Sequence, residues 1–262
     1  SSDLVLPSSP PYMSDFSQIK GQEKAKRAIE IAVAGSHNLL LVGPPGAGKT
    51  MMAQRIPSIM PPMSLDEIIE TTQIHSIVGK LSTDHPLVTE RPFRALHHSI
   101  TSTALIGGRT NPQPGEISLA HQGVLFLDEL PEFQRNVLEL LRQPLEERKV
   151  PISRAHGTVE FPANFLLISA MNPCPCGYFH HPEKPCTCKP YQVDRYLHRI
   201  SGPLLDRIDM HLEVFPLGYS DMFKSHESES SQVIRERIGI ARDIQKARFK
   251  EMSIRTNAEM NS

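Results

Sequence analysis

Residues 43 to 50 read Gly43-Pro44-Pro45-Gly46-Ala47-Gly48-Lys49-Thr50, a complete G-x-x-x-x-G-K-T phosphate loop. Its glycines let successive backbone N–H groups close around phosphate oxygens, and a helix that follows adds the positive end of its dipole. In this pattern Lys49 reaches the β- and γ-phosphates, while Thr50 offers its hydroxyl to Mg²⁺. An ordinary Gly/Pro turn can mimic the spacing, so the flanks decide. Asn38-Leu39-Leu40-Leu41-Val42 supplies the strand that must precede the loop, and Met51 to Met60 supplies the helix that must follow it. The chemistry predicted is the binding of a nucleoside triphosphate with Mg²⁺.

Further along, Val124-Leu125-Phe126-Leu127-Asp128-Glu129 places two carboxylates at the C-terminal end of an apolar run, the edge where open α/β sheets hold their ligands. Asp128 is suited to hold Mg²⁺, directly or through water, and Glu129 to orient and deprotonate the water that attacks the γ-phosphate. Acidic pairs after strands also serve as plain helix N-caps; the complete phosphate loop upstream favours the catalytic reading. A third run, Phe165 to Ala170, ends in Met171-Asn172. The Asn172 amide there either positions the same water or simply turns the chain before Pro173.

All four cysteines stand close together as Cys174-x-Cys176 and Cys186-x-Cys188. Two close pairs of thiolates suit a tetrahedral Zn²⁺ site, although the C-x-C spacing is tighter than the commoner C-x-x-C. His180 or His181 is a possible substitute ligand. Disulfides and free reduced thiols are the other readings, and disulfides fit poorly with a cytosolic protein.

These groups need a scaffold, and 262 residues with 39% hydrophobic content provide one large or two modest domains. A formal net charge of −1 excludes a wholly basic nucleic-acid coat and leaves any polyanion contact to local patches. No apolar stretch approaches the about 18 residues of a membrane span, and the first residues lack the regions of a signal peptide. The expectation is a soluble, cytoplasmic protein with no membrane contact. An opening serine suggests a piece of a longer chain, with Met13 as the alternative start. Prolines number 23, nearly twice the usual ~5% share, and their clusters mark connections.

Residues 1–17 are Ser- and Pro-rich and read as a linker. A helix is predicted over Gln22 to Ala34, and Ser64-Leu65-Asp66-Glu67 is a capping box announcing another. Continuous apolar runs alternating with helices predict an α/β fold, a parallel sheet between helices. Val150-Pro151-Ile152 and Thr158-Val159-Glu160-Phe161 predict a hairpin whose tip carries Arg154 and His156. Val233, Ile234, Ile238, Ile240, Ala241, Ile244 and Ala247 mark an amphipathic helix over Glu229 to Phe249.

Gly43 to Thr50, Val124 to Glu129, Asn172 and Gly202-Pro203-Leu204-Leu205-Asp206-Arg207-Ile208-Asp209 resemble the Walker A, Walker B, sensor 1 and arginine-finger segments of an AAA+ ATPase. Lys20-Gly21-Gln22, Pro92-Phe93-Arg94-Ala95-Leu96-His97-His98, Pro114-Gly115-Glu116-Ile117 and Cys174-Pro175-Cys176-Gly177-Tyr178 narrow the resemblance to the magnesium-chelatase-like ComM/YifB family, over roughly residues 15 to 250. The resemblance implies a P-loop NTPase core over 18–218, with a helix 2 insert, a pre-sensor 1 hairpin and a cysteine-rich insert at 173–190. It also implies that 219–262 is a helical tail leading into a lid largely missing from the chain, and that a domain similar to the Lon protease fold precedes the linker. A hexameric ring follows, in which Arg207 of one subunit reaches the γ-phosphate bound by its neighbour; without the resemblance, an arginine between two aspartates is a surface ion pair.

Ring ATPases touch their substrate with loops in the central pore. The candidates are Arg91 to Leu119, with Arg94, His97, His98 and Arg109, and Arg148 to Phe161, with Lys149, Arg154 and His156. Few aromatics accompany these cations, so the contacts expected are with phosphates rather than bases, and Glu146, Glu147 and Glu160 offset much of the charge. The function implied is ATP hydrolysis driving DNA remodelling or branch migration, on branched or single-stranded DNA, during recombination of incoming DNA. One alternative is the motor subunit of magnesium chelatase, which the resemblance gives a shorter, cysteine-free passage after sensor 1. Another is a nucleotide-dependent interaction module without efficient turnover.

Overall fold

A computed structural model describes residues 14–108, 112–154, 157–216, 228–252 and 254–260. Arg109, His156, residues 1–13 of the expected linker, residues 219–227 of the expected tail and the side chain of Arg154 lie outside that description.

Short apolar runs with no polar face to offer water become interior strands. The strands are β1 (Leu39–Val42), β2 (Phe93–Leu96), β3 (Gly107–Gly108), β4 (Gln113–Pro114), β5 (Val124–Leu127), β6 (Lys149–Arg154), β7 (Gly157–Pro162), β8 (Leu166–Met171) and β9 (Met210–Glu213). Five of them form one parallel sheet in the order β2-β5-β8-β1-β9, while β3–β4 and β6–β7 are separate antiparallel pairs. Alternation along each strand divides the core into two. Leu39, Leu41, Phe126, Ile168 and Ala170 face the helices α1 (Glu23–Gly35) and α2 (Lys49–Ile59). On the other face Leu40, Leu125, Leu127, Leu167 and Met171 pack with Ile117, Leu141, Tyr196 and Leu204. The result is the expected α/β sandwich, a parallel sheet with a core layer on each face.

Local signals hold where they rest on side-chain chemistry. The helix α3 (Leu65–Ile77) begins with the predicted capping box: Ser64 Oγ accepts from the Glu67 N–H at 3.3 Å, and the Ser64 N–H donates to Glu67 Oε2 at 2.8 Å. The hairpin forms as β6 and β7, with Arg154 opposite Gly157 at its end. No helix among the described residues is long and apolar enough to cross a membrane.

Three features differ from the sequence reading. Phe16, inside the expected linker, is fully buried; its N–H donates to Ser231 Oγ at 2.7 Å, and Asp15 accepts from the Ser231 N–H at 3.1 Å. The folded body therefore includes the end of the expected linker. The C-terminal helix spans Ser231–Arg248 and buries only part of its apolar pattern. Ile234 and Ile238 reach the core beside α1 and α2, whereas Val233, Ile240 and Ile244 are 46%, 64% and 57% exposed. A helix lying on two others can bury one stripe, and this sequence carries more than one. Finally, Phe93–Leu96 is the edge strand of the main sheet rather than part of a pore insert.

Candidate functional site

Strand register brings the predicted residues to one edge. Val42 stands beside Met171, so Gly43 and Asn172 leave the sheet together; Leu127 stands beside Ser169, which puts Asp128 one step along on the same edge. β1 lies between β8 and β9, while β2, the next strand in the chain, is at the far side of the sheet. Such a switch in strand order leaves a crevice beyond the carboxyl ends of the strands. Pro45, Gly46, Ala47, Gly48, Lys49, Thr50, Asp128, Glu129 and Asn172 all line that cleft.

The loop itself has the backbone the motif demands. Gly46 and Gly48 adopt φ of 79° and 84°, and α2 begins at Lys49, so its free N–H groups face the cleft. At Gly43 a Cβ would lie 2.1 Å from the carbonyl oxygen of Val214, which follows β9 alongside the end of β1. Lys49 is 8% exposed and donates to Gly43 O at 2.6 Å, Pro44 O at 2.9 Å and Asn172 Oδ1 at 3.3 Å. Burial holds its ammonium below the usual lysine range, against the opposing pull of Asp128 and Glu129.

Thr50 Oγ1 donates to Asp128 Oδ2 at 2.6 Å. A hydroxyl and a carboxylate at that separation are two hard oxygen donors converging on one point, a donor set that suits Mg²⁺. Glu129 follows in a left-handed conformation at φ 53°, with its N–H on Asp128 Oδ1 at 3.0 Å and its carboxylate turned to His98, Nδ1 to Oε2 3.6 Å. His98 is a site residue that the sequence reading assigned to a pore loop. Leu96 pairs with Leu127, so His97 and His98 leave β2 level with Asp128 and Glu129. Reading Phe-Arg-Ala-Leu as a strand would have found it; the internal arginine hid the signal, and Arg94 is in fact neutralised by Glu116 at 2.5 Å.

Arg207 sits elsewhere. Its backbone carbonyl accepts from Asn38 Nδ2 at 2.8 Å, at the entry of β1, whereas the phosphate loop leaves the exit of that strand. A four-residue strand spans about 13 Å, so Arg207 does not serve the loop of its own chain. Its guanidinium instead donates to Pro203 O at 3.0 Å and pairs with Glu146.

The four cysteines gather in one place. Sγ of Cys174 lies 3.3 Å from that of Cys176 and 3.7 Å from that of Cys186, and the Cys176–Cys186 separation is 3.5 Å. All four sulfurs fall within 4.8 Å of one another. A tetrahedral Zn²⁺ site with bonds of about 2.3 Å spaces its sulfurs by about 3.8 Å, so the set fits that ion. Backbone donors are in place as well, from the Phe179 N–H to Cys174 Sγ at 3.3 Å and the Cys176 N–H to Cys188 Sγ at 3.4 Å. Neither His180 nor His181 joins the cluster; His181 Nδ1 accepts from the N–H groups of Glu183 and Lys184. Burial opposes ionisation of Cys176, but the Tyr178 and Thr187 backbone and the neighbouring thiols bring it down to about 5. The adjoining helix, Pro190–Leu197, brings the buried Tyr196 near the Asn172 backbone.

Comparison with known proteins agrees with this arrangement. Residues 15–222 match the family described as magnesium chelatase, subunit ChlI. The YifB protein of Salmonella typhimurium is 47% identical over 249 residues, which cover 94% of this chain and 48% of that protein. Competence protein ComM of Haemophilus influenzae is 48% identical over 249 residues, covering 95% of this chain and 48% of that protein. The magnesium-chelatase 38 kDa subunit of Cereibacter sphaeroides is more distant, 23% identical over 177 residues, with 60% of this chain and 52% of that protein covered. The chain thus spans about half the length of the first two relatives. With a family match running through every strand of the sheet, the chain belongs to the ComM/YifB family of magnesium-chelatase-like AAA+ ATPases.

Proposed function

We propose that this chain is the ATP-hydrolysing core of a hexameric motor that remodels DNA, by branch migration during recombination of incoming DNA. The observation that carries the ATPase reading is the meeting of Lys49, Thr50, Asp128, Glu129 and Asn172 in one cleft. Lys49 exchanges its carbonyl partners for the β- and γ-phosphate oxygens, while the backbone of Gly43, Pro44, Pro45, Gly46, Ala47 and Gly48 wraps the phosphates. Thr50 and Asp128 would hold Mg²⁺, which would supply positive charge to offset that of the phosphates. Glu129 takes the proton of the attacking water as its oxygen bonds to the γ-phosphorus and the bond to the bridging oxygen breaks, leaving ADP and phosphate. Asn172 orients that water. Arg207 acts on the γ-phosphate held by the neighbouring subunit, a role supported by its place at the far end of β1. Mixing Arg207→Ala protein with Lys49→Ala protein tests this: partial rescue of ATPase activity in mixed rings is expected, and none at any ratio would remove the trans role.

The DNA assignment is supported by the 48% identity to a competence protein, with Lys149 and Arg154 on the hairpin as the contacts proposed for DNA phosphates. The family description favours a second reading, the motor of magnesium chelatase, against which stands the lower 23% identity to such a subunit. The cysteine cluster is proposed to hold one structural Zn²⁺. Metal analysis of protein purified under reducing, chelator-free conditions should find one zinc per chain. For the motor itself, the deciding experiment is the ATPase rate of the full-length protein with and without branched DNA. Stimulation is expected, together with binding that weakens steeply with salt. Hexamers that neither bind DNA nor change rate would put the chelatase motor first, with association to its partner subunits as the next test.

A further inference from the structure

The cysteine cluster does more than close an insert, because its first half is part of the nucleotide cleft. Asn172, whose Oδ1 accepts from Lys49 Nζ at 3.3 Å, stands two residues before Cys174. Cys174 is fully buried, and its carbonyl accepts from the Gly177 N–H at 2.9 Å, which folds Cys174 to Gly177 into a tight turn. The turn presses on the phosphate loop. Gly177 has φ of 85°, and a Cβ there would lie 2.5 Å from Pro45 Cδ and 3.9 Å from Asn172 Cγ. Tyr196, in the helix that begins two residues after Cys188, is buried near the Asn172 backbone. The thiols that converge therefore come from the two ends of one loop, and both ends lead directly to groups that grip Lys49 or the phosphate loop.

We infer that a soft divalent metal ion, zinc, bound by Cys174, Cys176, Cys186 and Cys188 sets the affinity of the same subunit for ATP, by fixing Asn172 and Pro45 around the phosphates. The inference rests on the zinc reading above and goes beyond it, since a merely structural ion would leave nucleotide affinity unchanged. The coupling is mechanical. Four metal–sulfur bonds tie the Cys174–Gly177 turn to Cys186 and Cys188, whereas the thiols alone leave that turn to a few backbone hydrogen bonds. A turn free to shift carries Gly177 off Pro45 and Asn172 off Lys49, and the phosphate cradle loses its set shape. Cys174, Cys176, Cys186 and Cys188 are thus positioning residues for nucleotide, although none touches it.

The test compares full-length wild type, the double variant Cys186→Ser/Cys188→Ser and Gly177→Ala in three measurements: zinc content, melting temperature and the Kd for a fluorescent ATP analogue. Wild type should carry one zinc per chain. The double variant should lose it and bind the analogue about tenfold more weakly, the loss of roughly one charge-assisted hydrogen bond. Gly177→Ala should keep the zinc, because all four thiols remain, and still bind the analogue more weakly, because the new Cβ displaces Pro45. Metal-free wild type would overturn the zinc reading and the inference with it. Zinc-loaded wild type with unchanged Kd in a folded, metal-free double variant would overturn the coupling alone. Should the double variant fail to fold, Gly177→Ala decides: unchanged Kd with full zinc content would refute the inference.

Discussion

The phosphate loop and the β6–β7 hairpin each set a lysine beside carboxylates, and they differ in how much water reaches it. Lys49 is buried, bonded to two carbonyls and an amide, and held below the usual lysine range by burial while Asp128 and Glu129 wait nearby. Lys149 stands in the open, paired with Glu160 at 2.8 Å, and that hydrogen bond holds its ammonium above the usual range. Formal charge is the same in both places. In the first, the direct partners are neutral oxygens and the ammonium itself is shielded from water; in the second, the charge is already satisfied by a carboxylate and bathed in solvent. The proposed function makes one region a site by itself. The other becomes one only if several copies converge around a shared pore.

The largest effect expected is on turnover. Glu129→Gln removes the proposed base and leaves the cradle, so phosphate release should fall by about 10²- to 10⁴-fold while ATP affinity holds. Normal hydrolysis by this variant would take Glu129 out of the mechanism. Next comes Gly43→Ala, whose Cβ meets the backbone oxygen of Val214 at 2.1 Å. Neither side of that contact is flexible. A loss of about 3 kcal/mol is expected, or roughly 6–12 °C in melting temperature. A melting curve that matches wild type would show that the exit of β9 is free to move.

How much of this was legible follows from the kind of signal. Residues read from side-chain chemistry at fixed spacing, such as Ser64 with Glu67, or Gly43 to Thr50 after three leucines, landed as expected because the local physics is complete within a few residues. Buried strands β1, β5 and β8 were legible as unbroken apolar runs. β2 was not, since an edge strand needs only one neighbour and tolerates Arg94 when Glu116 comes from outside its own segment to meet it. His98 was lost with it. The contact of Gly177 with Pro45 was also out of reach, since nothing local links residues so far apart in the chain. Clustering of all four cysteines, in contrast, was visible in their spacing alone.

A smaller effect concerns pH. His121 accepts from the Asn164 N–H through Nδ1 at 3.0 Å and has Glu70 on Nε2 at 3.2 Å, and burial holds it below the usual histidine range despite that carboxylate. His75, with Nε2 against Leu119 O at 3.1 Å, is lowered chiefly by burial as well. The unfolded chain protonates both near pH 6.5, whereas the folded chain resists, so their contribution to stability is full above about 6.5 and declines as pH falls below it. Melting curves between pH 7.5 and 5.5 should show this decline. A flat profile would mean that both imidazoles accept protons freely in the fold. Smallest of all is Lys149→Ala, which should move the melting temperature by less than about 1 °C, because an exposed pair contributes little to the fold; a larger drop would make the hairpin a structural element and erase its contrast with the phosphate loop.

The most direct measurement titrates Mg·ATP into wild type, Lys49→Ala and Lys149→Ala protein and compares their Kd values. Lys49→Ala should bind at least about a hundredfold more weakly, since charge-assisted hydrogen bonds to two phosphates are lost, and Lys149→Ala should match wild type within about twofold. Equal affinities for the two variants, or wild-type affinity in Lys49→Ala, would contradict the account, because the cleft around the buried Lys49 would then not be where the nucleotide is held.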